Sequence, residues 1–584
     1  MELLLLKAAI AALQADQVAL HFLTRMGWLS AFFVLVHNLK PESQKTRKWF
    51  WIFGLCSFLA PVLFFSTNWL LEFFNFQASP IPTREAVLWG GLWVGGLILA
   101  AAWLRYGHPQ LNAVLVRFKR GSALERNQKT DVREIEKFLP RPISFNPLKY
   151  TVGLENKKKF FIGLDENKKG VYVDYEDSVA APHIQIVGST GAGKGVSIGV
   201  LAAQFLAKGE AVFYMDPKDD EWAPHVLCHV AQQTGKPFHF INLNRPSGPQ
   251  LNPFAGATEE EAFELFQAGL SLIDKGDASD FYGIADRREA QATAKIMASK
   301  NLNIAQAYAA RIDILNDPKT GAEKFAGRLR ELAETPSINA ASGGIDLAKV
   351  IDEGGCVYVV GSMRNDITKT IQRVLLVRLL QLAERRDRIN EDVRPICVVL
   401  DEVKYHLSRP ALEGLGAARD KRLHIVLAHQ SLADLRDCAK DLNPDAVEGA
   451  IVDGCTIKIC YKVLNPITAE WLAAMSGAAQ VDDETRKVKR NVAQAEIVLG
   501  ERNIRQTERY FIDTNMLLNL PKRVAVVYGV GLAKFASIQP IKVAKTPEAI
   551  RFHVVEGSAA PSADDAISLD ENIPTSASAS ISLD

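Results

Sequence analysis

The sequence predicts an α/β fold: a mostly parallel sheet with an inserted all-α lobe, preceded by a two-helix transmembrane hairpin. Three observations predict it. After residue 180, short β-branched runs alternate with helical stretches; one block, 257–344, carries helical spacing alone; and two apolar stretches without charge, 49–71 and 86–104, stand near the N-terminus. Near-continuous β-branched runs suit strands covered on both faces, and strands separated by helices build parallel sheets.

Composition narrows the class. A chain of 584 residues exceeds what one hydrophobic core organises, so several domains are expected. With 48% hydrophobic and 23% charged residues the bulk is globular. The 68 Lys and Arg balance 67 Asp and Glu, which excludes a global basic field but leaves room for a local basic channel. Seven cysteines form no CxxC pair, and the nearest two, Cys455 and Cys460, share a strand-like run. That usage fits free thiols in a reducing compartment better than a disulfide framework or a zinc site.

In chain order, 1–48 reads as an amphipathic cytoplasmic segment. It lacks the basic start of a cleaved signal peptide. The hairpin occupies 49–106. Each of its spans, at about 1.5 Å per residue, can cross a hydrocarbon core of about 30 Å. Trp49, Trp51, Trp69, Trp89 and Trp103 mark the ends of the spans as interfacial residues do. Lys40, Lys45, Arg47 and Lys48 precede the hairpin and Arg105, Arg117, Lys119 and Arg120 follow it, whereas the loop holds only Arg84, so both termini are expected in the cytoplasm. A connector spans 107–180. Strands are expected at 184–187, 212–215, 357–360, 396–400, 425–428, 457–460 and 524–528, within a nucleotide-binding domain formed by 181–256 and 345–545. The all-α lobe, 257–344, opens with Thr258 and Glu261 at the spacing of a capping box, followed by Phe263, Phe266, Leu270 and Ile273 on one face. The tail, 546–584, is acidic, rich in Ser and Ala, and expected to be disordered; it repeats the string ISLD.

The chemistry concentrates in three places. Gly188, Ser189, Thr190, Gly191, Ala192, Gly193, Lys194 and Gly195 fit GxxxxGK between an apolar strand and an apolar helix. Glycines let successive N–H groups face a phosphate, and Lys194 neutralises its charge. The Ser or Thr whose hydroxyl usually ligates Mg²⁺ is replaced by Gly195. The run 396–400 ends in Asp401 and Glu402, which puts a metal-binding carboxylate and a general base at a strand tip. Gln430 ends the next strand, where its amide can sense a γ-phosphate; Arg419 precedes that strand and can serve a neighbouring subunit as an arginine finger. The basic runs Lys157–Lys159 and Arg486, Lys487, Lys489, Arg490 suit either a DNA channel or solvated loops.

Together the hairpin, GSTGAGKG, the strand end Asp216-Pro217-Lys218, Asn252-Pro253-Phe254, VVLDE and the HQS turn resemble TraD/TraG-type coupling proteins of conjugative type IV secretion, over most of 49–545. The resemblance implies a hexameric ring of RecA-like domains in the bacterial inner membrane. It also implies ATP and Mg²⁺ as cofactors, and single-stranded DNA with its relaxase or relaxosome and the secretion-channel proteins as partners. Two other readings stand beside it: a DNA translocase of the FtsK/HerA class, and a docking receptor that binds nucleotide with little turnover, to which Gly195 points.

Overall fold

The computed structural model describes residues 1–25, 83–118, 131–151, 158–175, 181–244, 248–272, 283–439, 441–490 and 496–551, with a few positions in 52–74 and residue 555. It divides into two units, 1–127 with 480–508 and 128–479 with 509–584.

The first unit contains the helices Glu2–Arg25, Thr83–Ala102 and His108–Phe118. The expected span 49–71 lies mostly outside the described residues, whereas 86–104 falls on Thr83–Ala102 and the turn after it. Among the described residues no helix is long and apolar enough to cross a membrane. Arg84, Glu85 and the glycines 90, 91, 95 and 96 dilute the hydropathy of Thr83–Ala102. The hairpin therefore rests on the sequence pattern alone.

The strands, in chain order, are β1 (Lys159–Leu164), β2 (Gly170–Asp174), β3 (Ile184–Val187), β4 (Ala211–Asp216), β5 (Phe238–Asn242), β6 (Cys356–Val360), β7 (Ile396–Leu400), β8 (Leu423–His429), β9 (Ile457–Cys460), β10 (Ala478–Arg490), β11 (Glu496–Tyr510), β12 (Val524–Tyr528) and β13 (Lys534–Ser537). Eleven of them form one sheet in the order β2-β1-β13-β12-β9-β3-β8-β7-β4-β6-β5, and β10 pairs with β11 separately. From β9 to β5 every pairing is parallel; from β9 to β2 every pairing is antiparallel. The stretch 107–180, expected as a connector, thus contributes β1 and β2 to the sheet.

Successive side chains of a strand face opposite ways, and the parallel strands use both faces. On β7, Ile396, Val398 and Leu400 enter one core while Cys397 and Val399 enter the other; on β4, Phe213 and Met215 oppose Val212 and Tyr214. The helix Lys194–Ala207 covers the second face with Leu201, Phe205 and Leu206; Asp366–Glu384 covers the first with Leu375, Leu376 and Leu379. This double cover explains why these strands read as continuous apolar runs.

Between β5 and β6 the chain forms the helices Glu259–Leu270, Ile284–Lys300, Ile304–Asn316 and Glu323–Ala333. Thr258 and Glu261 close the capping box: Glu261 N–H donates to Thr258 Oγ1 at 3.2 Å and Thr258 N–H to Glu261 Oε2 at 3.0 Å. Phe254, Phe266 and Phe325 pack in series, at 5.0 and 5.4 Å between centroids, joining this block to the first core.

Candidate functional site: a P-loop cleft at the carboxyl edge of the sheet

Parallel α/β sheets gather their chemistry beyond the carboxyl ends of the strands, and this sheet follows the rule. Residues 188–195 leave β3 and enter the helix Lys194–Ala207. Gly191 and Gly193 have φ of +75° and +132°, a region side chains avoid. A Cβ on Gly193 would sit 2.9 Å from the Tyr461 ring, which is fully buried beneath the loop. Ser197, one turn into the helix, shares a hydrogen bond with the Tyr461 hydroxyl. Lys194 folds back onto its own loop, donating to Gly188 O at 2.6 Å and Ser189 O at 3.4 Å. Burial lowers its pKa, opposed by the charge of Glu402.

Asp401 and Glu402 follow β7, two strands from β3. Glu402 adopts φ +61°, a left-handed conformation uncommon outside glycine. Lys218, from the turn after β4, lies 2.7 Å from Glu402 Oε1 and 3.2 Å from both Asp401 carboxylate oxygens. Its turn is pinned by Asp216, which accepts from Lys218 N–H at 2.8 Å and from the Tyr358 hydroxyl at 2.6 Å. Burial raises the Asp401 pKa. At Glu402 burial pushes the same way, but the Lys218 hydrogen bond and charge outweigh it and lower the pKa; Lys218 itself is raised by the two carboxylates against the effect of burial.

Gln430 links both halves of the site. Its Nε2 donates to Glu402 Oε1 at 3.3 Å, and its Oε1 accepts from Thr190 Oγ1 at 3.3 Å. Beneath it, His429 is fixed by Gln185 Nε2, which donates to its Nε2 at 2.8 Å, and by its own Nδ1–H, which donates to Ser431 O at 2.9 Å. Accepting the Gln185 bond at Nε2 requires a neutral ring, and burial pushes its pKa down to about 4.

Arg419 does not join this cluster. It precedes β8, whereas Gln430 follows it. A seven-residue strand, at about 3.3 Å per residue, separates the two by about 20 Å. The arginine stands at the amino edge of the sheet, beyond reach of its own subunit's loop. The basic residues 486, 487, 489 and 490 lie on strand β10, not in a loop. Lys159 begins β1 and pairs with Asp174 at 3.5 Å.

A cavity of about 420 Å³ runs from Thr190 and Lys194 past Lys218 and Asp401 to Trp222, Arg523 and Pro540. Arg523 also has positive φ (+65°), and its N–H donates to Ala192 O at 3.1 Å, which ties the start of β12 to the loop. Sequence reasoning gave no role to Lys218, Tyr461, Trp222 or Arg523. Only Lys218 carried a signal, the charged end of the strand Met-Asp-Pro-Lys.

The donor set suits a divalent cation in kind, because Asp401 and Glu402 already hold an ammonium. Gly195 offers no hydroxyl, and the nearest one along the helix, on Ser197, is committed to Tyr461.

These features define a P-loop, nucleotide-binding type of α/β domain. Residues 395–522 match the family model TraG-D_C, described as the TraM recognition site of TraD and TraG; the match includes Asp401, Glu402 and Gln430. Mobilization protein A of Escherichia coli is 28% identical over 362 residues, which cover 62% of this chain and 66% of that protein. Among solved structures, the plasmid coupling protein TrwB in complex with ADP and Mg²⁺ aligns with TM-score 0.46 and 16% identity, covering 63% of this chain and 88% of that one. VirB4 of Thermoanaerobacter pseudethanolicus aligns with TM-score 0.44 and 13% identity, over 68% and 100%. The chain is similar to TraD/TraG-type coupling proteins, as its motifs implied.

Proposed function

We propose that this chain is an ATP-hydrolysing coupling protein of conjugation, which brings relaxase-bound single-stranded DNA from the relaxosome to a type IV secretion channel. The observation that carries the reading is the convergence of Lys194, Asp401, Glu402 and Gln430 at the carboxyl edge of one sheet, in a chain similar to TraD/TraG proteins and to a mobilization protein. The loop 188–195 and Lys194 hold the phosphates. Asp401 holds Mg²⁺, which when bound neutralises phosphate charge. Glu402 accepts the proton of the attacking water, and Gln430 couples phosphate occupancy to Glu402. Arg419, about 20 Å from the loop of its own chain, acts on a neighbour in a homo-hexameric ring. The segments 49–71 and 86–104 anchor the ring in the inner membrane, with both termini cytoplasmic.

ATP turnover by the full chain, with and without single-stranded DNA, tests the proposal. DNA should stimulate hydrolysis, Lys194→Ala should abolish it, and Glu402→Gln should keep nucleotide binding while stopping turnover. Unstimulated, negligible turnover by the parental chain would favour the docking receptor, and Glu402→Gln turning over at the parental rate would remove the general-base assignment.

A further inference from the structure

Lys218 occupies the place where two buried carboxylates converge. Asp401 and Glu402 are 7% and 2% exposed, and the ammonium touches three of their four oxygens at 2.7–3.2 Å. Two adjacent carboxylates this deep need a counter-charge, and Lys218 supplies it. The other nearby cation, Lys194, is held by carbonyls of its own loop. The backbone of Lys218 is fixed through Asp216, yet its side chain is 34% exposed and borders the cavity. Four methylenes therefore let the ammonium leave the carboxylates while the turn stays in place.

We infer that Lys218 is a displaceable internal cation: it neutralises Asp401 and Glu402 in the empty site and competes with a divalent ion for the same carboxylate oxygens. Resting on the proposed nucleotide site, this reading assigns that site a regulation. Because Gly195 withholds the usual hydroxyl ligand, the ion has little besides Asp401 with which to outbid the lysine, so the empty site discriminates against free metal. Lys218 also engages Glu402 Oε1, so one of the two oxygens of the proton acceptor stays bound until the ammonium departs. Lys218 is thus a positioning residue, acting through Asp401 and Glu402.

The test reads metal binding without nucleotide, using Mn²⁺ as the probe. The full chain is titrated and free Mn²⁺ is followed by its electron paramagnetic resonance signal. Lys218→Met should bind Mn²⁺ at least tenfold tighter than the parental chain, and adding Asp401→Asn should erase the gain. Lys218→Met leaves two buried charges unpaired and can impair folding. Lys218→Met with Glu402→Gln keeps the parental net charge of the cluster and carries the test in that case. Competition for one seat predicts at least threefold tighter binding in this double variant, whereas a pure net-charge effect predicts parental affinity. Unchanged or weaker Mn²⁺ binding on removal of the lysine, a gain that survives Asp401→Asn, or parental affinity in the charge-matched variant would each overturn the inference. Binding of a fluorescent ATP analogue to the same parental preparation is scored separately: its absence would defeat the nucleotide-site reading and leave the Mn²⁺ result standing on its own.

Discussion

Gly193→Ala adds one methyl group at the point where the phosphate loop enters its helix. Two costs combine there. The backbone sits at φ +132°, where a residue with a Cβ bears roughly 1–3 kcal/mol of strain. The new Cβ would also stand 2.9 Å from a Tyr461 ring carbon, closer than carbon atoms pack. Tyr461 cannot retreat, being fully buried and hydrogen-bonded to Ser197. The loop must yield instead, turning its N–H groups out of register. A loss of about 2 kcal/mol corresponds to roughly thirtyfold weaker nucleotide binding, while global stability should change much less, because the strain relaxes locally. Binding of a fluorescent nucleotide, read beside a thermal melt, measures both quantities. Trimming the ring with Tyr461→Leu in the Gly193→Ala background should restore part of the affinity, since it removes the contact but not the strain. Parental affinity in Gly193→Ala alone would refute the claim that Tyr461 sets the shape of the loop.

Other expectations follow from single contacts. Arg311 is buried against Glu289 in the helical block, so Arg311→Met should cost about 3 kcal/mol in denaturant unfolding, and Glu289→Gln in that background should return part of it. His183, His406 and His429 are buried, with burial pushing each down to about 4 from 6.5. Their folded pKa values are depressed, so the neutral rings contribute full stability above pH 6.5 and lose it between pH 6.5 and about 4, at up to ~1.4 kcal/mol per pH unit for each ring. Replacing His406 by Leu should flatten that decline by about a third in melts run across this range. Arg419→Ala subunits mixed with Lys194→Ala subunits should recover ATP turnover if the arginine serves a neighbour; inactive mixtures in which mixed rings demonstrably form would remove the trans assignment.

The central strands were legible because they are covered on both faces: β3, β4, β6, β7, β8, β9 and β12 all stand where the apolar runs predicted them. β5 escaped notice because FHFIN begins with partly exposed residues at the sheet's edge, and β13 because its four residues, KFAS, carry almost no pattern. β1 and β2 were hidden in a lysine-rich stretch whose role in the sheet depends on pairing with β13, more than 350 residues away. The same division holds at the site. Lys194, Asp401, Glu402 and Gln430 announce themselves by local motif, beside the ends of β3, β7 and β8. Tyr461 and Arg523 reach the loop only through folding; no local spacing marks an aromatic ring at the end of β9 as the floor beneath Gly193.

The packing of Tyr461 beneath the loop and the bond from Arg523 to Ala192 also set a timetable. More than 300 residues separate the loop from Arg523, so at a ribosomal rate of about 5–20 residues per second roughly 15–70 s pass between synthesis of Gly188 and synthesis of its last support. Until Tyr461 is made the nascent chain has the glycines and the lysine of the loop without the ring beneath them, and until Arg523 is made it lacks the bond to Ala192. The loop gains its last support only when the start of β12 has been made, so a chain broken off before β12 is expected to bind nucleotide more weakly than the full chain however intact its motif.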